Sequence, residues 1–251
     1  MPIKQPIIEV KNLNFAYNGN VILEQVSFRV EPGDYVGIVG PNGGGKTTLL
    51  KILAGLLQPQ SGSVIINGAP LRDGKTKLKV GYVPQRVAQD NSSFPATVYE
   101  VVESGLTPAL GLFGRFSQSD RQAIERALKI AGIGDLRDKL MSTLSGGQRQ
   151  RAYVARALAA EPAILLLDEP FVGVDLYAQR DFFAFLKTLN KKQRLTILLV
   201  SHDVDMIATE VKSVICLNHG LLCFGRPKIL RADGVMNSLY GKKITHLHHI
   251  H

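Results

Sequence analysis

The 251-residue sequence predicts an α/β fold, with a mostly parallel sheet covered by helices on both faces. Three observations lead there. Short apolar runs with strand character alternate with segments of helical spacing along most of the chain. A glycine-rich loop, Gly40-Pro41-Asn42-Gly43-Gly44-Gly45-Lys46-Thr47, joins a strand-like run to a periodic helix. A further apolar run, Ala163 to Leu167, ends in two carboxylates, Asp168 and Glu169.

The elements follow in order. Ile7 to Val10, Ser27 to Val30 and Tyr35 to Val39 are rich in β-branched and aromatic residues and read as strands, with a turn at Pro32-Gly33-Asp34. Lys46 to Leu57 has helical spacing, with Leu49, Ile52, Leu53 and Leu56 on one face. Ser63 to Asn67 and Val80 to Val83 are short strands. From about residue 86 to 150 the character becomes helical. Val98 to Ser104 is a helix, Gly105 to Phe116 a Gly- and Phe-rich loop, and Ser119 to Gln122 a capping box for a helix running toward Gly132. Gly146 to Ala160 is another helix, stopped by Pro162. Strands return at Ile164 to Asp168, Ile197 to Val200 and Ser213 to Leu217, with an amphipathic helix over Leu176 to Leu189. Residues 226 to 251 read as a basic and then His-rich tail.

Composition narrows the function classes. With 45% hydrophobic residues the chain can bury a sizeable core. No apolar run approaches the roughly 18 residues that cross a bilayer, and Met1 to Lys4 lacks a secretory pattern, so a cytoplasmic protein is expected. The net charge of +9 is scattered, without aromatic residues along a basic stripe. That favours a solvated surface facing anionic headgroups over nucleic acid. Cys216 reads as an inert core thiol, and Cys216, His219 and Cys223 match no closed zinc spacing.

The motifs supply the chemistry. In Gly40 to Thr47 the glycines let backbone N–H groups curl around phosphates, Lys46 would reach the β- and γ-phosphates, and the Thr47 hydroxyl would ligate Mg²⁺. The helix starting there points its positive end at the anion. Asp168, at the carboxyl end of a buried strand, can hold Mg²⁺, and Glu169 can orient or deprotonate water. Without the glycine loop the same pair would read equally well as a helix cap. Ser145-Gly146-Gly147, preceded by Leu144 and followed by Gln148, opens a helix and offers a second anion site. One nucleotide does not need two such sites in one chain.

These segments in this order resemble an ABC-type ATP-binding subunit over nearly the whole chain. The resemblance implies a P-loop NTPase core with an N-terminal antiparallel β subdomain and a helical subdomain at about 86–150, within a domain spanning 1–240 and followed by a tail at 241–251. It implies two copies paired head to tail, with ATP between the phosphate loop of one and Ser145 to Gln148 of the other. The nucleotide contacts it implies are Tyr17, Gly40, Pro41, Asn42, Gly43, Gly44, Gly45, Lys46, Thr47, Thr48, Ser145, Gly146, Gly147, Gln148 and Asp175. Tyr17 resembles the aromatic that stacks on adenine, although its ring also suits a core. Gln85 resembles the glutamine that senses Mg²⁺ and water, Asp175 the aspartate that bridges the subunits, and His202 the histidine at the γ-phosphate. The catalytic set is thus Glu169, His202 and Gln85, and the Mg²⁺ set Thr47, Gln85 and Asp168. Gly44 stands where serine is common, Phe171 where threonine is, and Val172-Gly173-Val174 departs from the commoner sequence while keeping Asp175.

An importer ATPase is favoured over an exporter ATPase, which is often fused to a membrane domain. It is also favoured over a soluble ABC protein of ribosome or DNA, which usually carries two ATPase domains or a coiled coil. Residues 93–102, 168–175 and 211–218 resemble the zinc and manganese importer branch. That implies a homodimer on two integral membrane permease subunits, fed by an extracytoplasmic metal-binding protein, at the cytoplasmic face of the inner membrane. Zinc is the expected cargo, with manganese or an iron chelate as alternatives, and no nucleic-acid partner. Four of the six histidines, His246, His248, His249 and His251, lie in the last six residues. They suit either a zinc sensor or a disordered polar tail.

Overall fold

The computed structural model describes residues 5–71, 79–85, 95–107, 116–171, 175–232 and 234–241. The chain divides into two compact units. One comprises Met1–Glu31, Tyr35–Thr76 and Val200–His251; the other comprises Pro32–Asp34 and Lys77–Leu199.

In the first unit, β1 (Ile8–Tyr17) pairs antiparallel with β2 (Asn20–Val30) and with β4 (Ser61–Ile66), which carries the short β5 (Ala69–Pro70). Both N-terminal strands run far beyond Ile7–Val10 and Ser27–Val30. Register shifts after Val10 and Leu13 interrupt the ladder. Asn12 and Gln25 both take left-handed φ of 47° there. Such irregularities break the two-residue period by which a strand is recognised. This unit also has β9 (Ser213–Asn218) between β3 (Tyr35–Val39), parallel to it, and β10 (Gly220–Gly225), antiparallel to it. All five residues of β3 are buried, and each fully buried Val or Ile contributes about 1.5–3 kcal/mol.

Helix α1 (Lys46–Leu53) follows the glycine loop and buries Leu49, Leu50, Ile52 and Leu53. It ends four residues earlier than its periodicity predicts. Gly55 turns left-handed at φ 74°, and Leu56 points outward, 61% exposed.

β10 is an element without a sequence forecast. It forms a hairpin on β9 that sets Cys223 opposite Cys216. The two cysteines form a disulfide, which corrects the reading of Cys216 as a free core thiol. With only seven residues of separation the bond closes a short loop, so its loss should cost about 2 kcal/mol. We expect dithiothreitol to lower the melting temperature by roughly 4–8 °C. A melting curve unmoved by reduction, with thiol titration confirming cleavage, would remove the bond from the account of stability. Within the expected tail, Pro227–Arg231 forms a 3₁₀ turn and Val235–Tyr240 a short helix. The histidines at 246–251 lie outside the described residues.

In the second unit, the turn foreseen at Pro32-Gly33-Asp34 is held by the Gly33 N–H donating to Thr196 Oγ1 at 2.9 Å. Strands β6 (Val80–Val83) and β7 (Ile164–Asp168) pair in parallel, and β8 (Thr196–Val200) lies on the other side of β7. Four helices follow the sequence reading closely. These are α2 (Val98–Glu103), α3 (Gln118–Ala131), α4 (Gly146–Leu158) and α5 (Leu176–Gln193). The capping box of α3 sits two residues earlier than expected, on Ser117 with Asp120 rather than on Ser119 with Gln122. Two donors on Ser117, its hydroxyl and then its backbone N–H, hold the Asp120 carboxyl below its usual range. Among the described residues no helix is long and apolar enough to cross a membrane.

Candidate functional site

Within the first unit, β3 runs straight into the glycine loop. Gly40 follows the buried Val39, and a Cβ there would lie 1.9 Å from the Leu217 carbonyl oxygen on β9. That contact alone demands glycine. Gly43 and Gly45 are left-handed, at φ 81° and 92°. Gly45 also abuts Leu23 and the Ile22 carbonyl, so a Cβ would sit 2.6 Å from the leucine side chain. Gly44 is tight for a different reason. A Cβ would come 3.0 Å from Leu217 O and 3.1 Å from Pro41 O. Glycine at 44 therefore suits this loop, and the departure from the commoner serine relieves crowding as well as removing a hydroxyl.

The loop closes on itself through Gly44 N–H to Pro41 O at 3.1 Å, and it is tied to the β9–β10 turn by His219 N–H to Gly44 O, also 3.1 Å. Lys46 is only 5% exposed. Its ammonium donates to Gly40 O at 2.9 Å and Pro41 O at 2.8 Å. Thr47 and Thr48 follow on the first turn of α1, with Thr48 buried. Helix α1 begins without a side-chain cap, so its first N–H groups face the loop.

Tyr17 closes β1, 43% exposed, with its ring edge-on to Phe15 at 4.8 Å. An exposed aromatic face propped by a second ring suits stacking better than core filling. His202 follows β8 by two positions. The Ser201 N–H donates to Ile38 O at 3.3 Å, and Ser201 Oγ accepts from Asp203 N–H at 3.1 Å. Asp203 in turn caps the helix α6 (Val204–Glu210), which the sequence reading overlooked.

Within the second unit, β7 delivers both carboxylates. Asp168 is its last residue and is 1% exposed. Glu169 turns left-handed at φ 45°, a conformation that costs a non-glycine residue on the order of 1 kcal/mol. Gln85 lies just beyond β6, and its amide donates to Glu169 Oε2 at 2.7 Å. Tyr82, on β6, donates its hydroxyl to Asp168 Oδ2 at 3.3 Å. Burial, and then the Asp168 charge, push the Tyr82 phenol far above its ordinary range. At neutral pH it is therefore a donor.

Ser145 caps α4 in a full capping box. Gln148 N–H donates to Ser145 Oγ at 3.3 Å, and Ser145 N–H donates to Gln148 Oε1 at 3.0 Å. The box fixes the first turn and the N–H groups of Gly146 and Gly147. It also engages the Gln148 side chain in its own helix start. Among the described residues a Cβ on Gly147 would meet Ala178 Cβ, at 3.7 Å. Asp175 caps α5, accepting from Ala178 N–H at 2.9 Å. Residues 172–174, and residues 93 and 94 of the branch-like segment, lie outside the described residues.

The phosphate loop, Thr47, Thr48, Tyr17 and His202 thus fall in the first unit. Gln85, Asp168, Glu169, Asp175 and Ser145 to Gln148 fall in the second, where Gln85 meets Glu169. Two residues were overlooked. Tyr82 pairs with Leu166 across the parallel ladder and so shares a face with Asp168, which is visible only once β6 is known to neighbour β7. Gln150 is 3% exposed and donates to the Pro170 carbonyl. It ties α4 to the chain leaving Glu169.

A strand–glycine loop–helix with a buried lysine, and a buried strand ending in two braced carboxylates, define a nucleoside-triphosphate-hydrolysing cassette. The ABC transporter family model matches residues 23–172, and the chain belongs to that family. It is 43% identical to the zinc uptake system ATP-binding protein ZurA of Listeria innocua, over 87% of this chain and 85% of that one. It is 38% identical to the high-affinity zinc uptake system ATP-binding protein ZnuC of Bacillus subtilis, over 85% and 92%. Among solved structures it matches cbiO1 of Clostridium perfringens, part of the ABC transporter complex cbiONQ, with a TM-score of 0.79 at 29% identity over 93% of each chain.

Proposed function

We propose that the chain is the ATP-hydrolysing subunit of an importer for a divalent metal ion, with zinc as cargo. The observation that carries the hydrolytic reading is the pair of carboxylates at the end of β7, one buried and one aligned by the Gln85 amide. The cargo reading is supported by similarity to ZurA and ZnuC, both named for zinc uptake.

In this reading the N–H groups of Gly40 to Gly45 cradle the phosphates, Tyr17 stacks on adenine, and Lys46 and His202 stabilise γ-phosphate charge. Glu169 takes the proton from the attacking water, and Gln85 holds its carboxylate in place. The residues present fit Mg²⁺. A hydroxyl from Thr47, an amide oxygen from Gln85 and the buried Asp168 carboxylate are the hard donors that it prefers. When bound, it neutralises charge on the β- and γ-phosphates. Ser145, Gly146, Gly147 and Gln148 act on the nucleotide of a second copy, with Asp175 at the same interface. A homodimer closing on two ATP molecules would drive two integral membrane permease subunits at the cytoplasmic face of the membrane. An extracytoplasmic metal-binding protein would deliver the cargo.

Cells carrying the wild-type protein or Glu169→Gln, compared for several divalent metals at once, test the cargo. Zinc accumulation should fall selectively in the variant. A fall in manganese instead would move the cargo and keep the mechanism. No change in any metal would overturn the metal-import reading.

A further inference from the structure

β6 reaches both carboxylates of β7. The Gln85 amide braces Glu169. The second brace has no counterpart in the expected site. Tyr82 pairs with Leu166 in the parallel register, so its ring stands on the same face as Asp168, two residues further along. Its hydroxyl meets Asp168 Oδ2 at 3.3 Å.

We propose that Tyr82 is a positioning residue that fixes the Asp168 carboxylate in the orientation that grips Mg²⁺. The proposal rests on Asp168 being a metal ligand. Carboxylate ligands are commonly held by an outer hydrogen-bond donor, because a freely turning carboxylate must be ordered each time the metal binds. Tyr82 meets that need economically. It is a neutral donor, so it orients the carboxylate without competing for its charge as lysine or arginine would. Its ring is seated in the β6 ladder, so the hydroxyl has little freedom to wander. Asp168 is 1% exposed, so water is a poor substitute for the phenol.

The test uses Mn²⁺ as a paramagnetic probe and ATP, in full-length protein carrying Glu169→Gln to prevent turnover. Electron paramagnetic resonance titration reads Mn²⁺ affinity in the presence of ATP, and fluorescence reads ATP affinity in chelator. Adding Tyr82→Phe should weaken Mn²⁺ binding about tenfold and leave metal-free ATP affinity unchanged. Tyr82→Met also lacks the donor and should behave alike, which serves if the phenylalanine variant fails to fold. Equal Mn²⁺ affinity in Tyr82→Phe, alongside loss in Asp168→Asn, would overturn the proposal and leave the ligand reading standing. Unchanged Mn²⁺ affinity in Asp168→Asn would overturn both. Loss of metal-free ATP binding in Tyr82→Phe would assign Tyr82 to the scaffold instead.

Discussion

Glu169→Gln should bind ATP, dimerise and hydrolyse about 10²- to 10⁴-fold more slowly than wild type. The change removes the proton acceptor and nothing else of consequence. Glutamine has the same shape, and its amide oxygen can still accept from Gln85, whose Nε2 lies 2.7 Å from Glu169 Oε2. The backbone at φ 45° is no more strained by glutamine than by glutamate. Phosphate release under saturating ATP, with size-exclusion chromatography of the same sample, measures both halves of the expectation. Hydrolysis at the wild-type rate would show that another group accepts the proton.

Gly40→Ala should abolish ATP binding and cost about 3 kcal/mol or more of stability. The added Cβ would lie 1.9 Å from Leu217 O. That oxygen is backbone near the carboxyl end of β9, so no side chain can swing aside. Relief requires parting β3 from β9 where the phosphate loop begins. Gly43→Ala is the control. Among the described residues nothing lies within 4 Å of its Cβ, and its φ of 81° is the unfavourable feature, so its cost should stay near 1 kcal/mol. A fluorescent ATP analogue and thermal melts separate the two. Equal behaviour of both variants would show that left-handed backbone, and not the β9 contact, governs the loop.

The parts of the site legible in sequence are those whose chemistry is local. The glycine loop, Ile164 to Asp168 and Ser145 to Gln148 each announce themselves within eight residues or fewer, because one turn or one strand end does the work. What was illegible depends on partners far along the chain. Gly40 needs to be glycine because of Leu217, and Tyr82 matters because of Asp168. The fold divides in the same way. Fully buried β7 and β8 read as uninterrupted apolar runs, whereas β1 and β2 hid behind their bulges at Asn12 and Gln25. The Asn18-Gly19 turn between them was a hairpin signal that the broken alternation obscured. The β9–β10 hairpin was missed through a similar break, a register shift between Leu221 and Cys223.

The two braces from β6 differ in how they can be worked. Tyr82 stands inside the ladder, whose last rung joins Val83 to Leu167. Gln85 lies beyond that rung. The amide on Glu169 therefore hangs from chain outside the strand pairing, while the phenol on Asp168 is anchored within it.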